Sequence, residues 1–114
     1  MDKKFISTSF DISGYKINQN LGVVRGSVVR SRSFFENLSA ATLSLFGGNI
    51  SIYTKMCERA RDEAFEKMLV QAEELSANAI IGMTYYANEI APGITEVLCY
   101  GTAVLIKKNS TIDL

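Results

Sequence analysis

The run ITEVLCYGTAVLIKK, residues 94–108, constrains the fold more than any other part of this 114-residue chain. Strand side chains alternate between two faces. Here Val97, Cys99, Gly101, Ala103 and Leu105 point one way and Leu98, Tyr100, Thr102, Val104 and Ile106 the other, so both faces are largely apolar. A helical layer can cover only one of them. The chain holds too little helix to cover both, so the second face is expected to meet another subunit or a ligand.

The cover for the first face is legible upstream. Across residues 54–75, Cys57, Ala60, Ala64, Met68, Ala72 and Leu75 recur at spacings of three and four with charges on the opposite side, which predicts an amphipathic helix of about six turns. Its alanines would let the helix backbone approach a sheet closely. Arg59 with Glu63, and Glu63 with Lys67, are spaced as i,i+4 surface pairs. Before the terminal strand, NAIIGMTYYANE reads as its hairpin partner, the two joined through Pro92 and Gly93. Pro92 presets φ and Gly93 supplies the positive φ of a type II turn.

Nearer the start, KFISTSF reads as a short first strand, with a turn at Gly14. From Tyr15 to about Arg30 a strand pattern is punctuated by Asn18, Asn20, Gly22 and Gly26, where bulges or a bend are expected. Phe34, Phe35, Leu38, Ala41 and Leu45 follow helical spacing and predict a short helix stopped by Gly47-Gly48. One domain is expected over 1–114. No repeat or low-complexity tract interrupts it.

Twelve basic residues balance twelve acidic ones, which removes the electrostatic pull that nucleic acid or an anionic membrane would exploit. No apolar run approaches the roughly 20 residues that span a bilayer, and Met1-Asp2-Lys3-Lys4 does not open a signal peptide, so a cytoplasmic location is expected. The hydrophobic fraction of 47 % leaves surplus apolar surface, for which a subunit interface is the ordinary destination.

The segments LGVVRG, FFENL, LFGGN, YTKMCERARDEAFEKML, SANAIIG and YGTAV occur in an order that resembles the YbjQ-like family, small bacterial proteins labelled "putative heavy-metal-binding". The likeness runs over about residues 5–107 and leaves 108–114 as a loose tail. It implies an α+β subunit, an antiparallel sheet with a long amphipathic helix and a short helix on one face. It also implies assembly into a ring-like homo-oligomer, a homopentamer, of unknown molecular function. The chain departs from the family pattern at Glu36-Asn37, at Gly47-Gly48-Asn49, at Thr84 and Tyr86 where carboxylates are expected, and at Ser76 where the family has a helix-ending glycine. Arg61, Ala64, Asn78, Gly82, Gly101 and Thr102 lie in segments that match. Gly82 and Gly101 are expected to mark close backbone approach.

Candidate chemistry is sparse. Without histidine, the only soft donors besides methionine are Cys57 and Cys99, more than forty residues apart, so a zinc site of paired ligands is not encoded. Both cysteines fall on apolar positions and are expected to be small buried hydrophobes; soft heavy-metal binding through these free thiols is the alternative. No cofactor is predicted. Asp62, Glu63 and Glu66 are neighbours on the helix but read as a solvated face, and no nucleophile motif or phosphate loop is present, so an enzyme is the minority expectation.

Three arginines remain. Arg30 and Arg32 share a strand face with Val28, whereas Arg25 shares the other with Val23 and Ser27. They could reach carboxylates across a subunit boundary, stand in water, or bind a small anionic ligand. Ligand or interface candidates are therefore Arg25, Arg30, Arg32, Arg61, Asn78, Tyr100 and Thr102; metal candidates are Cys57 and Cys99. The expected partner is the chain itself, in an assembly or small-ligand-binding role.

Overall fold

A computed structural model describes residues 1–31 and 50–110, with residues 50–56 described by their backbone. Arg32, the predicted short helix, the altered loops at 36–37 and 47–49, and the last four residues lie outside it. A 3-10 turn at Lys3–Phe5 precedes strand β1 (Tyr15–Ser31), helix α1 (Ile50–Glu74), strand β2 (Ala79–Ala91) and strand β3 (Ile94–Lys108). The strands form one antiparallel sheet in the order β1-β3-β2. The doubly apolar run is thus the central strand, a position its pattern left open. Gly93, at φ +74°, turns the β2–β3 hairpin.

Helix α1 covers one sheet face. Ala60, Ala64, Met68, Leu69 and Ala72 are buried against it, and Val24, Val28, Ile80, Cys99 and Ala103 supply the sheet side of the core. Gly26 makes the close approach possible. It lies in register opposite Cys99, without a bulge, and a β-carbon there would stand 2.0 Å from the Ala64 carbonyl oxygen and 2.6 Å from the Met68 amide nitrogen. The register shifts of β1 fall earlier, between Ile17 and Gln19 and between Asn20 and Gly22. The expected close backbone approach is present at Gly101, where the Ile81 carbonyl would stand 3.1 Å from an added β-carbon; at Gly82 the near neighbour is instead a side chain, and the residue carries φ +62°. A β-carbon on Gly101 would meet Ile80 at 2.7 Å, and one on Gly82 would meet the Phe10 ring at 2.9 Å.

KFISTSF does not form a strand. After the 3-10 turn the segment runs beside the start of β2, where the amides of Ser7 and Met83 and the carbonyls of Ser7, Ser9 and Ile80 exchange hydrogen bonds of 2.8–2.9 Å, and the amide of Gly82 completes the set. Only Ile6 makes a bridge, parallel to Ile80. This segment and the start of β1 also cover half of the second sheet face. Ile12, Ala79, Ile81, Val104 and Ile106 form a second buried cluster there, flanked by Phe5, Tyr15 and Ile17. The expectation that the whole second face must find a foreign partner is corrected to its distal half.

α1 ends in a Schellman arrangement, with the Ser76 amide bonded to the Glu73 carbonyl and the Ala77 amide to the Ala72 carbonyl, both at 3.0 Å. Ser76 itself carries φ +62°, the left-handed conformation in which glycine is at ease. At the other terminus, Lys108 belongs to β3 and the Asn109 amide bonds to the Gly14 carbonyl at 2.9 Å, so these two residues, expected in a loose tail, are held by the sheet.

Candidate functional site

The distal half of the sheet, whose face away from α1 the N-terminal segment does not reach, gathers most of the candidates. On the face away from α1, Arg25 lies opposite Tyr100 and Val23 opposite Thr102, with Leu98 and Tyr86 completing a shallow groove of about 420 Å³ around Val23, Arg25 and Tyr100. Val23 is 73 % exposed, Tyr86 54 % and Tyr100 38 %, a large apolar exposure for one strip of sheet. The Arg25 amide is held by Gln71 Oε1 at 2.9 Å, while its guanidinium makes no ion pair with a described residue. Arg25, Tyr100 and Thr102 are therefore neighbours on one surface.

Arg30 is not part of that surface. It lies on the α1 side of the sheet with Val28, and its Nη2 donates to Glu63 Oε2 in a half-buried ion pair. Glu63 is drawn to β1, and Lys67 likewise reaches across to donate to the Ser27 carbonyl at 3.1 Å. The expected i,i+4 pairs on the helix surface are replaced by these contacts to the sheet, because both residues flank the buried stripe and β1 runs within reach. Asn78 also has a structural duty. Its side chain accepts from the Ile106 amide at 2.8 Å and donates to the Ile106 carbonyl at 3.0 Å, extending the β2–β3 ladder beyond its last backbone pair.

A second groove, of about 520 Å³, opens between α1 and the hairpin on the helix side. Cys57, Ala60 and Arg61 line one wall; Tyr85, Tyr86, Ala87, Thr95 and Val97 line the other. Cys57 is exposed here, contrary to the expectation of a buried side chain. The helix stripe turns away from the sheet at this level, just as Leu75 is left 43 % exposed at the other end of the predicted stripe. Arg61 makes no ion pair with a described carboxylate. Burial raises the Tyr85 phenol above its ordinary value of 10.0, with Cys99 and Asp62 adding to the rise and Arg61 opposing it, so the phenol is a neutral donor at neutral pH. Tyr85 is absent from the sequence candidates, and Tyr86 enters there only as a departure from the family pattern. Adjacent aromatics in a strand that end on opposite faces are the signal that could have found them.

Cys99 is fully buried, its Sγ 3.6 Å from Met68 Sδ, and loss of solvent pushes its thiol up to about 11. Deprotonation for metal ligation is thus disfavoured. Among the described residues no three or more His, Cys, Asp or Glu side chains gather where they could hold a metal ion. The described donors therefore do not fit a closed heavy-metal site.

A family model described as "Putative heavy-metal-binding" matches residues 5–107. The chain is 57 % identical over 103 residues to a UPF0145 protein of Burkholderia thailandensis and 58 % identical to UPF0145 proteins of Burkholderia mallei and Burkholderia pseudomallei. Each match spans 90 % of this chain and 93 % of the relative. The fold is also similar to the crystal structure of a protein of unknown function from Pediococcus pentosaceus, assigned to the DUF74 family. That similarity has a TM-score of 0.59 at 25 % identity, covering 90 % of this chain and 97 % of the other.

Proposed function

The chain belongs to the UPF0145, YbjQ-like family, and from that membership we propose that it is the subunit of a cytoplasmic homo-oligomer, a pentameric ring whose role is assembly and the presentation of a small-ligand groove. One observation carries this reading: the subunit by itself is too extended and too apolar at its distal end. Its radius of gyration is 18.2 Å and its extents are 65 × 27 × 19 Å, against about 13 Å expected for a compact chain of this length. The excess length is sheet, and Val23, Val29, Tyr86, Ile90 and Tyr100 stand exposed along it. β1 and β2 are the outer strands; Gln71 and Lys67 reach the β1 edge at Arg25 and Ser27, the N-terminal segment lies along the start of β2, and the rest of the β2 edge pairs with no other described strand. An edge of that kind next to exposed apolar side chains is normally covered.

Native mass spectrometry and sedimentation velocity test the assembly directly. A five-fold mass at low micromolar concentration is expected. A monomer under those conditions overturns the proposal.

The ligand part of the reading rests on the groove at Cys57 and Arg61, whose mostly apolar lining also holds one cation, one thiol and the three hydroxyl-bearing residues Tyr85, Tyr86 and Thr95. That chemistry suits a small anion with an apolar body. Thermal-shift measurements with a series of aliphatic and aromatic carboxylates should show stabilisation of the wild type that disappears in Arg61→Ala; no shift with any of the series counts against the groove. Soft-metal binding is the reading this donor set serves least, since Cys57 would have to act without Cys99.

A further inference from the structure

We propose that the end of the sheet remote from the Gly93 turn binds a compact phosphoryl anion of the diphosphate class, held by Lys16, Lys107 and Lys108. This end is separate from the groove at Cys57 and Arg61. Lys107 and Val97, which lines that groove, are about 30 Å apart along β3.

Lys16 of β1 and Lys107 of β3 are directly opposed in the antiparallel register, so their side chains share a face, and Lys108, opposite Tyr15, follows at once. Like charges directly opposite each other destabilise a strand pair. The described ion pairs join Met1 to Glu73, Lys4 to Asp2 and Arg30 to Glu63, and none of them offsets this cluster. Basic and acidic residues balance over the whole chain, so the gathering of three cations here is local and does not reflect a generally basic protein. An anion seated between the lysines turns their repulsion into attraction.

The lysines border a recess of about 310 Å³, completed by Asn18, Asn109 and Ser110. All six side chains are polar and exposed, in contrast to the two apolar grooves. Amide and hydroxyl groups add donors beside the ammonium groups, which serve phosphate oxygens as point charges. A lining without apolar residues has nothing to offer an acyl chain, and three clustered cations do not form the track that the phosphates of a nucleic acid follow. Adjacent phosphoryl groups on a small molecule fit both the size and the charge.

The frame beneath is fixed. Ile17 and Ile106, the next pair inward, pack in the second buried cluster, Asn78 holds the Ile106 backbone, and the Asn109 amide is bonded to the Gly14 carbonyl at 2.9 Å. Asn18 falls at the register shift between Ile17 and Gln19, and a bulge re-aims the side chain it carries.

The test is isothermal titration calorimetry of the full chain with pyrophosphate, orthophosphate and sulfate, at one ionic strength set with sodium chloride. Pyrophosphate is expected to bind more tightly than the other two, and Lys16→Gln and Lys107→Gln each to weaken it at least about fivefold. Without ligand each variant should melt no lower than the wild type, since it removes a like-charge contact; should one variant fold poorly, the other reads the same site. Adenosine diphosphate that binds as tightly as pyrophosphate assigns the site to a phosphate ester, and weaker binding assigns it to the free anion; both support it. No binding of pyrophosphate by the wild type, binding equalled by sulfate, or binding unchanged in both lysine variants overturns the site.

Discussion

Replacing Gly26 by alanine probes the contact on which the helix–sheet packing depends. Gly26 does not have a left-handed φ, so the added methyl brings no backbone strain and its effect is steric. The new carbon would stand 2.0 Å from the Ala64 oxygen, 2.6 Å from the Met68 nitrogen and 2.7 Å from Lys67 Cβ. Separations under 3.0 Å do not occur for real β-carbons. The two nearest atoms are helix backbone, so no rotamer change relieves the clash, and α1 must lift from β1 by at least about 1 Å. A radial gap of that size forfeits roughly a quarter to a half of each dispersion contact it opens. The affected side chains are Ala60, Ala64 and Met68 against Val24, Val28 and Cys99. Overpacking of this kind costs about 1–3 kcal/mol, which for a domain of this size lowers Tm by roughly 5–20 °C. Thermal and urea melts at one fixed protein concentration measure it, since assembly couples stability to concentration. A variant within about 0.5 kcal/mol of the wild type would show that the helix does not lie as close to β1 as the structure places it, and would refute the reasoning.

Three further outcomes follow from single positions. Ser76→Gly relieves the left-handed serine at the end of α1 and should stabilise the protein by about 0.5–1 kcal/mol in the same melts; a destabilised variant would mean that the serine hydroxyl has a role of its own. Asn78→Leu removes both bonds to the Ile106 backbone and should cost about 1–3 kcal/mol, with faster amide exchange at Ile106 as the local readout. The buried Cys99 thiol has its pKa raised in the folded state from 9.0 to about 11, so its contribution is complete below 9 and is lost as pH rises through that window. Wild-type stability should therefore fall more steeply from pH 9 to 11 than that of Cys99→Ala, and equal slopes in pH-dependent urea melts would contradict the burial of this thiol.

Much of the candidate surface was legible in alternation alone. Arg25 with Val23, and Arg30 with Val28, fall on the faces that strand periodicity assigns them, because Gly26 stays in register and the bulges precede it. The roles of those arginines were not legible. Arg30 closes on Glu63 across 33 residues of sequence, a distance that no local pattern bridges. Cys57 misled for a related reason. Its helical phase is correct for burial, but burial needs sheet beneath it, and at that level the sheet stands apart and leaves a groove.

By itself the sequence determined the helix of α1, the turn at Gly93, the two apolar faces of β3 and the family, since each depends on periodicity, on the conformational limits of one residue, or on a linear order of segments; that β3 is the central strand came from the fold. Tertiary structure decided what covers each surface. The N-terminal segment, with the hydrophobicity of a strand, found the flank of β2 and one half of the second sheet face, leaving the other half bare. Periodicity assigns a residue to a side of its own element, whereas cover depends on where other elements end, and that is set by the lengths and crossing of strands and helix in space.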